Sequence, residues 1–249
     1  MKATIRLIML TALRDRLFTG LFALLAVTLG LSVFLGATSV AEQLQTAVVF
    51  AAAAGRLILV LGLTIFAAFH IQALFETREV EAILARAISR GQFVVSYWLG
   101  LAALAVIVAS AFGIAIIFFA GWSAAACMWA ATLVAECAIV LAVTLFAGLM
   151  LERATSTVLF TMGFYALARL MGFLVAIRET TTSSFFSDIV KFSLDAVLLF
   201  IPRLDLFAQT QFLIYADSRV DAAFSIVQTG LFLALVLAAS VFDLKRKQF

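Results

Sequence analysis

A chain of 249 residues that is 65% hydrophobic, 12% charged and of mean hydropathy +1.19 has too few charges to build a water-soluble surface. Its net charge of +3 comes from basic residues scattered beside apolar runs, which excludes a nucleic-acid-binding face and reads as membrane topology. One Pro, 13 Gly and long continuous apolar runs favour helices over a transmembrane β-barrel, which needs short alternating segments.

The first stretch, MKATIRLIMLTALRDRLF, repeats Ile5, Ile8, Met9 and Ala12 at helical spacing among Lys2, Arg6, Arg14 and Arg16. It predicts either a short helix lying on the inner leaflet or a plain basic flank. A bilayer core about 30 Å thick needs about 20 apolar residues of helix. Six runs meet that length: Leu17–Val40, Val48–Leu74, Phe93–Ala120, Ala124–Met150, Ala154–Ile177 and Ala222–Val241. Ser39-Val40-Ala41 resembles a signal-peptidase site, but the run before it is too long for a signal h-region. Gly121-Trp122-Ser123 predicts a tight outer turn with an interfacial Trp. The fold expected is an all-α membrane protein with one transmembrane domain over residues 1–249.

Six spans put both termini on one side, and basic residues choose which. Lys2, Arg6, Arg14, Arg16, Arg78, Arg86, Arg90, Arg153, Lys245, Arg246 and Lys247 fall on the side of the termini. Only Arg178, Lys191, Arg203 and Arg219 fall opposite. Both termini are therefore expected in the cytoplasm, together with the charged block FETREVEAILARAISRGQF (Phe75–Phe93). In that block Val80, Ile83, Leu84, Ala87 and Ile88 make one apolar helical face. Glu76, Arg78, Glu79, Glu81, Arg86 and Arg90 occupy the rest, and Gly91 is placed to end the helix. A helix this short has no core of its own and must rest on a membrane, on the spans or on a partner. On its residues alone, it is equally a solvated connector.

Four ionisable residues fall inside or at the edge of spans, where such groups default to functional hypotheses: Arg56, His70, Glu136 and Arg169. Glu136 lies 16 residues before Glu152 and Arg169 lies 16 after Arg153. In two antiparallel helices they reach a similar depth, so an interhelical ion pair fixing the register, or a polar path, is expected. Arg56 either snorkels outward or competes for Glu136. His70 reads as a packing residue; with no second His a histidine metal cluster is excluded. Cys127 and Cys137 lie ten residues apart on one helix and cannot bridge each other. Between Arg178 and Asp221 a polar stripe of Ser184, Ser187, Asp188, Lys191 and Asp195 predicts an interfacial outer helix. Pro202 breaks it, and Asp205 is placed to cap a second short helix.

Phe75–Gly100 resembles the segment between the second and third spans of ABC-2 type transporter permeases. There an acidic pair precedes a run of the form I/L-L-A-R-P-I-S-R. Here the run is Ile83-Leu84-Ala85-Arg86-Ala87-Ile88-Ser89-Arg90, with Ala87 where the family often has Pro. Leu199–Tyr215, LFIPRLDLFAQTQFLIY, is similar to the P-x-L-D-L-F segment of the subgroup linked to multicopper-enzyme maturation. The resemblance implies that residues 76–90 form a coupling helix docked on a separate ATPase. It implies two ATPase subunits that bind ATP and Mg, a second permease copy or paralogue, and a periplasmic accessory protein. It also implies export across a bacterial inner membrane, with the Pro202 and Asp205 region gating the outer exit. The chain itself carries no G-x-x-x-x-G-K-[ST] loop, no bound cofactor is expected and it is not read as an enzyme. An ATP-independent channel or scaffold accounts for the spans but leaves the charged block unexplained.

Overall fold

The computed structural model describes residues 8–12, 14–39, 42–76, 89–151, 153–180, 201–215 and 222–246. Every regular element among the described residues is helical. Helix α1 (Arg16–Thr38) starts where Asp15 accepts a hydrogen bond from the Leu17 amide at 3.0 Å. Helix α2 (Gln43–Glu76) has 34 residues. At 1.5 Å per residue it is about 51 Å long and overreaches a hydrocarbon core of ~30 Å.

Helix α3 (Arg90–Ala120) opens on a capping box. Ser89 Oγ accepts from the Gln92 amide at 3.2 Å, and Gln92 Oε1 accepts from the Ser89 amide at 3.3 Å. The helix closes at Gly121, whose φ of 92° is a conformation that side chains rarely tolerate. Trp122 then stands 85% exposed on the turn, where an interfacial Trp is expected. Ser123 caps helix α4 (Ala124–Met150) by accepting from the Ala126 amide at 3.0 Å. We expect Ser123→Ala to lower stability by about 1 kcal/mol. The readout is the unfolding midpoint in mixed micelles, and an unchanged midpoint would mean that the cap contributes nothing.

The apolar pattern predicts one span over Ala154–Ile177. The structure breaks it at Leu170, into α5 (Ala154–Arg169) and α6 (Met171–Thr180). Hydropathy counts apolar residues and carries no information about a bend, so the break leaves no trace in it. At 16 residues α5 is about 24 Å long, short of a full crossing. Five helices are each long and apolar enough to cross a membrane: α1 to α4, and α8 (Ala222–Arg246). Between α6 and α8 lie a 3-10 turn (Leu204–Leu206) and the short helix α7 (Gln211–Tyr215).

Helix α4 is the centre of the bundle and touches α2, α3, α5, α7 and α8. Of its apolar window 72% is buried by the chain, against 28% for α1 and 17% for α8, so those two are peripheral. Leu24, Val27, Phe34, Phe118, Leu159 and Ile226 stay exposed on the outside. Apolar surface on that scale needs lipid or another protein against it. This is the architecture of an all-α, multi-pass membrane protein.

Residues 8–12 are helical, and their apolar face does not simply lie on a leaflet. Ile8 and Ala12 are buried in the core. Ile8 sits against Gly100 of α3, where an added Cβ would come within 2.4 Å of Ile8 Cδ1. The missing side chain makes the seat.

The coupling residues Arg78, Glu79, Glu81, Ile83, Leu84, Arg86 and Ile88 lie outside the described residues, as does the stripe from Ser184 to Asp195. Glu76 ends α2 and Arg90 begins α3.

Candidate functional site

The polar residues inside the bundle converge on one place. Helix α4 supplies Thr132 and Glu136, and α5 supplies Tyr165 and Arg169. Each pair is four residues apart, one helical turn, so each shares a face of its helix. Helix α2 supplies Arg56, and the segment 201–215 supplies backbone groups. Glu136 is the thirteenth residue of the 27 in α4, close to its middle, so the cluster sits deep in the bundle.

Glu136 is fully buried. Its Oε1 accepts a hydrogen bond from Tyr165 Oη at 2.8 Å and lies 3.5 Å from Arg169 Nη1. Its Oε2 has no hydrogen-bond partner. Arg169 Nη1 is much nearer two backbone carbonyls, Leu204 O at 2.6 Å and Phe207 O at 2.8 Å. Distance therefore decides the roles. Arg169 hydrogen-bonds the 201–215 segment, and Glu136 supplies the opposite charge beside it.

Arg56 is held by the 201–215 segment, and its charge acts on Glu136 through space. It donates from Nη1 to Ala208 O at 2.7 Å. Because α2 begins at Gln43, Arg56 lies 13 residues into its helix, roughly 20 Å from that end. Thr132 Oγ1 accepts from the Ala208 amide at 3.0 Å, so both polar groups of that residue are held. Ala208 has a φ of 45°, an uncommon value for a residue with a Cβ.

Irregular backbone within a membrane must be satisfied by protein, because lipid offers no hydrogen bonds. Here two guanidiniums and one threonine hydroxyl hold the Leu204, Phe207 and Ala208 carbonyls and the Ala208 amide against the bundle. The expected contact between Glu136 and Arg169 is present. Tyr165 and Thr132 are not singled out by the sequence, although each lies one turn from a residue that is.

The other predicted residues lie elsewhere. His70 is stacked between Phe66 and Tyr97, with ring centroids 5.4 and 5.8 Å away, in keeping with a packing role. Asp205 does not cap a helix. It sits inside the 3-10 turn and pairs with Arg203 at 3.1 Å. A Cβ at Gly172 of α6 would come within 2.8 Å of Asp205 Oδ2, so α6 leaves room for that carboxylate. Pro202 is buried just before the turn.

At the opposite end of the bundle Gln72 Oε1 accepts from the Ala154 amide, while Gln72 Nε2 donates to Glu76 Oε1 at 3.0 Å. Arg90 donates to Leu244 O at 2.7 Å and ties α3 to the end of α8. The two helices that flank the charged block are thus fastened to their neighbours where the block begins and ends. Cys127 and Cys137 are free thiols. Among the described residues no group of three His, Cys, Asp or Glu side chains could hold a metal ion.

No protein-family model matches the sequence, and no curated protein matches it.

Proposed function

We propose that the chain is the transmembrane permease subunit of an ATP-driven transporter of the ABC-2 type, working as an exporter. The observation that carries this reading is the charged block Phe75–Phe93, with its Ile83-Leu84-Ala85-Arg86-Ala87-Ile88-Ser89-Arg90 run, joined directly to two long helices. A separate ATPase would hold ATP and Mg, dock on this block and tilt it. Gln72, one turn before Glu76, is bonded to the Ala154 amide and Arg90 to Leu244 O, so a tilt of the block has little slack to absorb it. In this reading α5 and α6 together form the fifth of six spans, interrupted at Leu170. Both termini and the block lie in the cytoplasm of a bacterial inner-membrane protein. The working unit holds two ATPase subunits, two permease chains and a periplasmic accessory protein. The buried cluster fits this function because it ties the segment between the last two spans to α2, α4 and α5.

The test is co-purification of this chain with an ATPase encoded beside it, wild type against the Glu79→Lys, Glu81→Lys double variant. The expected result is that the ATPase co-purifies with wild type and that charge reversal detaches it or uncouples its hydrolysis. If folded wild-type protein retains no ATPase, the permease reading fails and an ATP-independent channel or scaffold replaces it.

A further inference from the structure

We infer that Arg56 and Arg169 form an oxyanion-binding site, held in this conformation by the backbone carbonyls of Leu204, Phe207 and Ala208. A ligand bearing a phosphate-type group would bind by taking the place of those carbonyls. Three observations lead there.

The first is charge. Among the described residues the cluster contains two guanidiniums and one carboxylate, and that carboxylate lies beside Arg169. Arg56 hydrogen-bonds a neutral carbonyl, shares the Glu136 charge only through space, and keeps a buried Nε without a hydrogen-bond partner. A cation at this depth is costly until an anion neutralises it.

The second is geometry. Three carbonyl oxygens lie 2.6 to 2.8 Å from the Nη1 atoms of two arginines. Only Nη1 of each guanidinium is used on these carbonyls, and a phosphate offers several oxygens that the rest of each fork could engage. Charge-assisted bonds to such an anion are roughly twice as strong as bonds to neutral acceptors. The exchange therefore favours the anion wherever the segment can move.

The third is the segment itself. Ala208 sits at φ 45°, an unfavourable conformation for alanine. The docked state holds backbone strain that departure would relieve.

The inference deepens the permease proposal by naming a substrate class. It rests on that proposal for transport, but binding can be measured without it. The full chain would be placed in phosphatidylcholine nanodiscs, and equilibrium binding of inorganic phosphate, dodecyl phosphate and uncharged dodecanol measured. Amide hydrogen exchange over residues 201–215 would be followed in parallel. We expect saturable binding of a phosphate probe, faster exchange at Ala208 on binding, and neither effect with dodecanol. Arg56→Gln should weaken binding about tenfold to a hundredfold. Arg56→Lys, which keeps the charge but loses the fork, should weaken it less and serves if the Gln variant does not fold. Binding of dodecyl phosphate alone marks a lipid-borne ligand, and binding of inorganic phosphate as well marks a free anion. If neither phosphate binds wild type saturably, or if both Arg56 variants bind as wild type does, the site is overturned. Loss of ATPase association with phosphate binding intact would sink the permease reading and leave this site standing.

Discussion

Arg169→Ala is expected to cost about 3–5 kcal/mol of stability, the range for removing one partner of a buried pair. Two losses add in this variant. Glu136, fully buried, keeps the Tyr165 hydroxyl as its hydrogen-bond partner and only the more distant Arg56 as opposite charge. Leu204 O and Phe207 O lose the guanidinium that serves both of them. Glu136→Ala should cost less, because Arg169 keeps its two carbonyls. Glu136→Gln should be milder still, since an amide oxygen can go on accepting from Tyr165. The Glu136→Gln, Arg169→Gln double variant should lose less than the sum of its singles, because it removes the charges together. Unfolding in mixed micelles, arranged as a double-mutant cycle, measures all of these. Strictly additive losses would mean that the two side chains act independently and that 3.5 Å is proximity without coupling.

Gly55→Val is expected to cost about 2–3 kcal/mol through overpacking. A Cβ at Gly55 would lie 2.1 Å from Phe112 Cζ and 2.7 Å from Cε2. The ring cannot swing aside freely, because it is buried beside Trp129, itself fully buried, with centroids 6.3 Å apart. The glycine lets α2 and α3 approach, as small residues do between membrane helices. Phe112→Ala should be destabilising alone, through the cavity it leaves. The Gly55→Val, Phe112→Ala pair should be less destabilised than the sum of the singles, since valine fills part of that space. If Gly55→Val leaves the unfolding midpoint unchanged, α2 and α3 are not in close contact at this level.

The polar cluster is partly legible in the amino-acid sequence. Equal spacing from the Glu152-Arg153 turn places Glu136 and Arg169 at matching depths, because α4 and α5 are antiparallel with the same rise per residue. Arg56 is legible as a cation inside an apolar run, but its hydrogen-bond partner is not. That partner is a backbone carbonyl 152 positions away, and no side-chain pattern marks a carbonyl. Thr132 is hidden for a related reason. A threonine in a membrane helix ordinarily bonds its own helix, as Thr64 and Thr144 do here. Thr132 does that too, with Met128 O at 2.9 Å, and in addition accepts from Ala208. Asp205 misleads because a helix-capping residue type just after proline also fits a tight turn with an ion pair to Arg203.

Apolar run length, capping residues and charge placement are local quantities, and they suffice for a helical membrane protein. They locate α1 to α4 and α8 to within a few residues, and they mark four ionisable groups inside the apolar runs, Arg56 and His70 on α2, Glu136 on α4 and Arg169 on α5. No local quantity reveals that the predicted fifth span is broken at Leu170, or that Ile8 packs under Gly100. Nor does any bring Arg56 and Arg169 together on the carbonyls of one irregular segment. These features arise from packing in three dimensions. In lipid a backbone group without a local partner must find one across the bundle, and that choice depends on which helices meet.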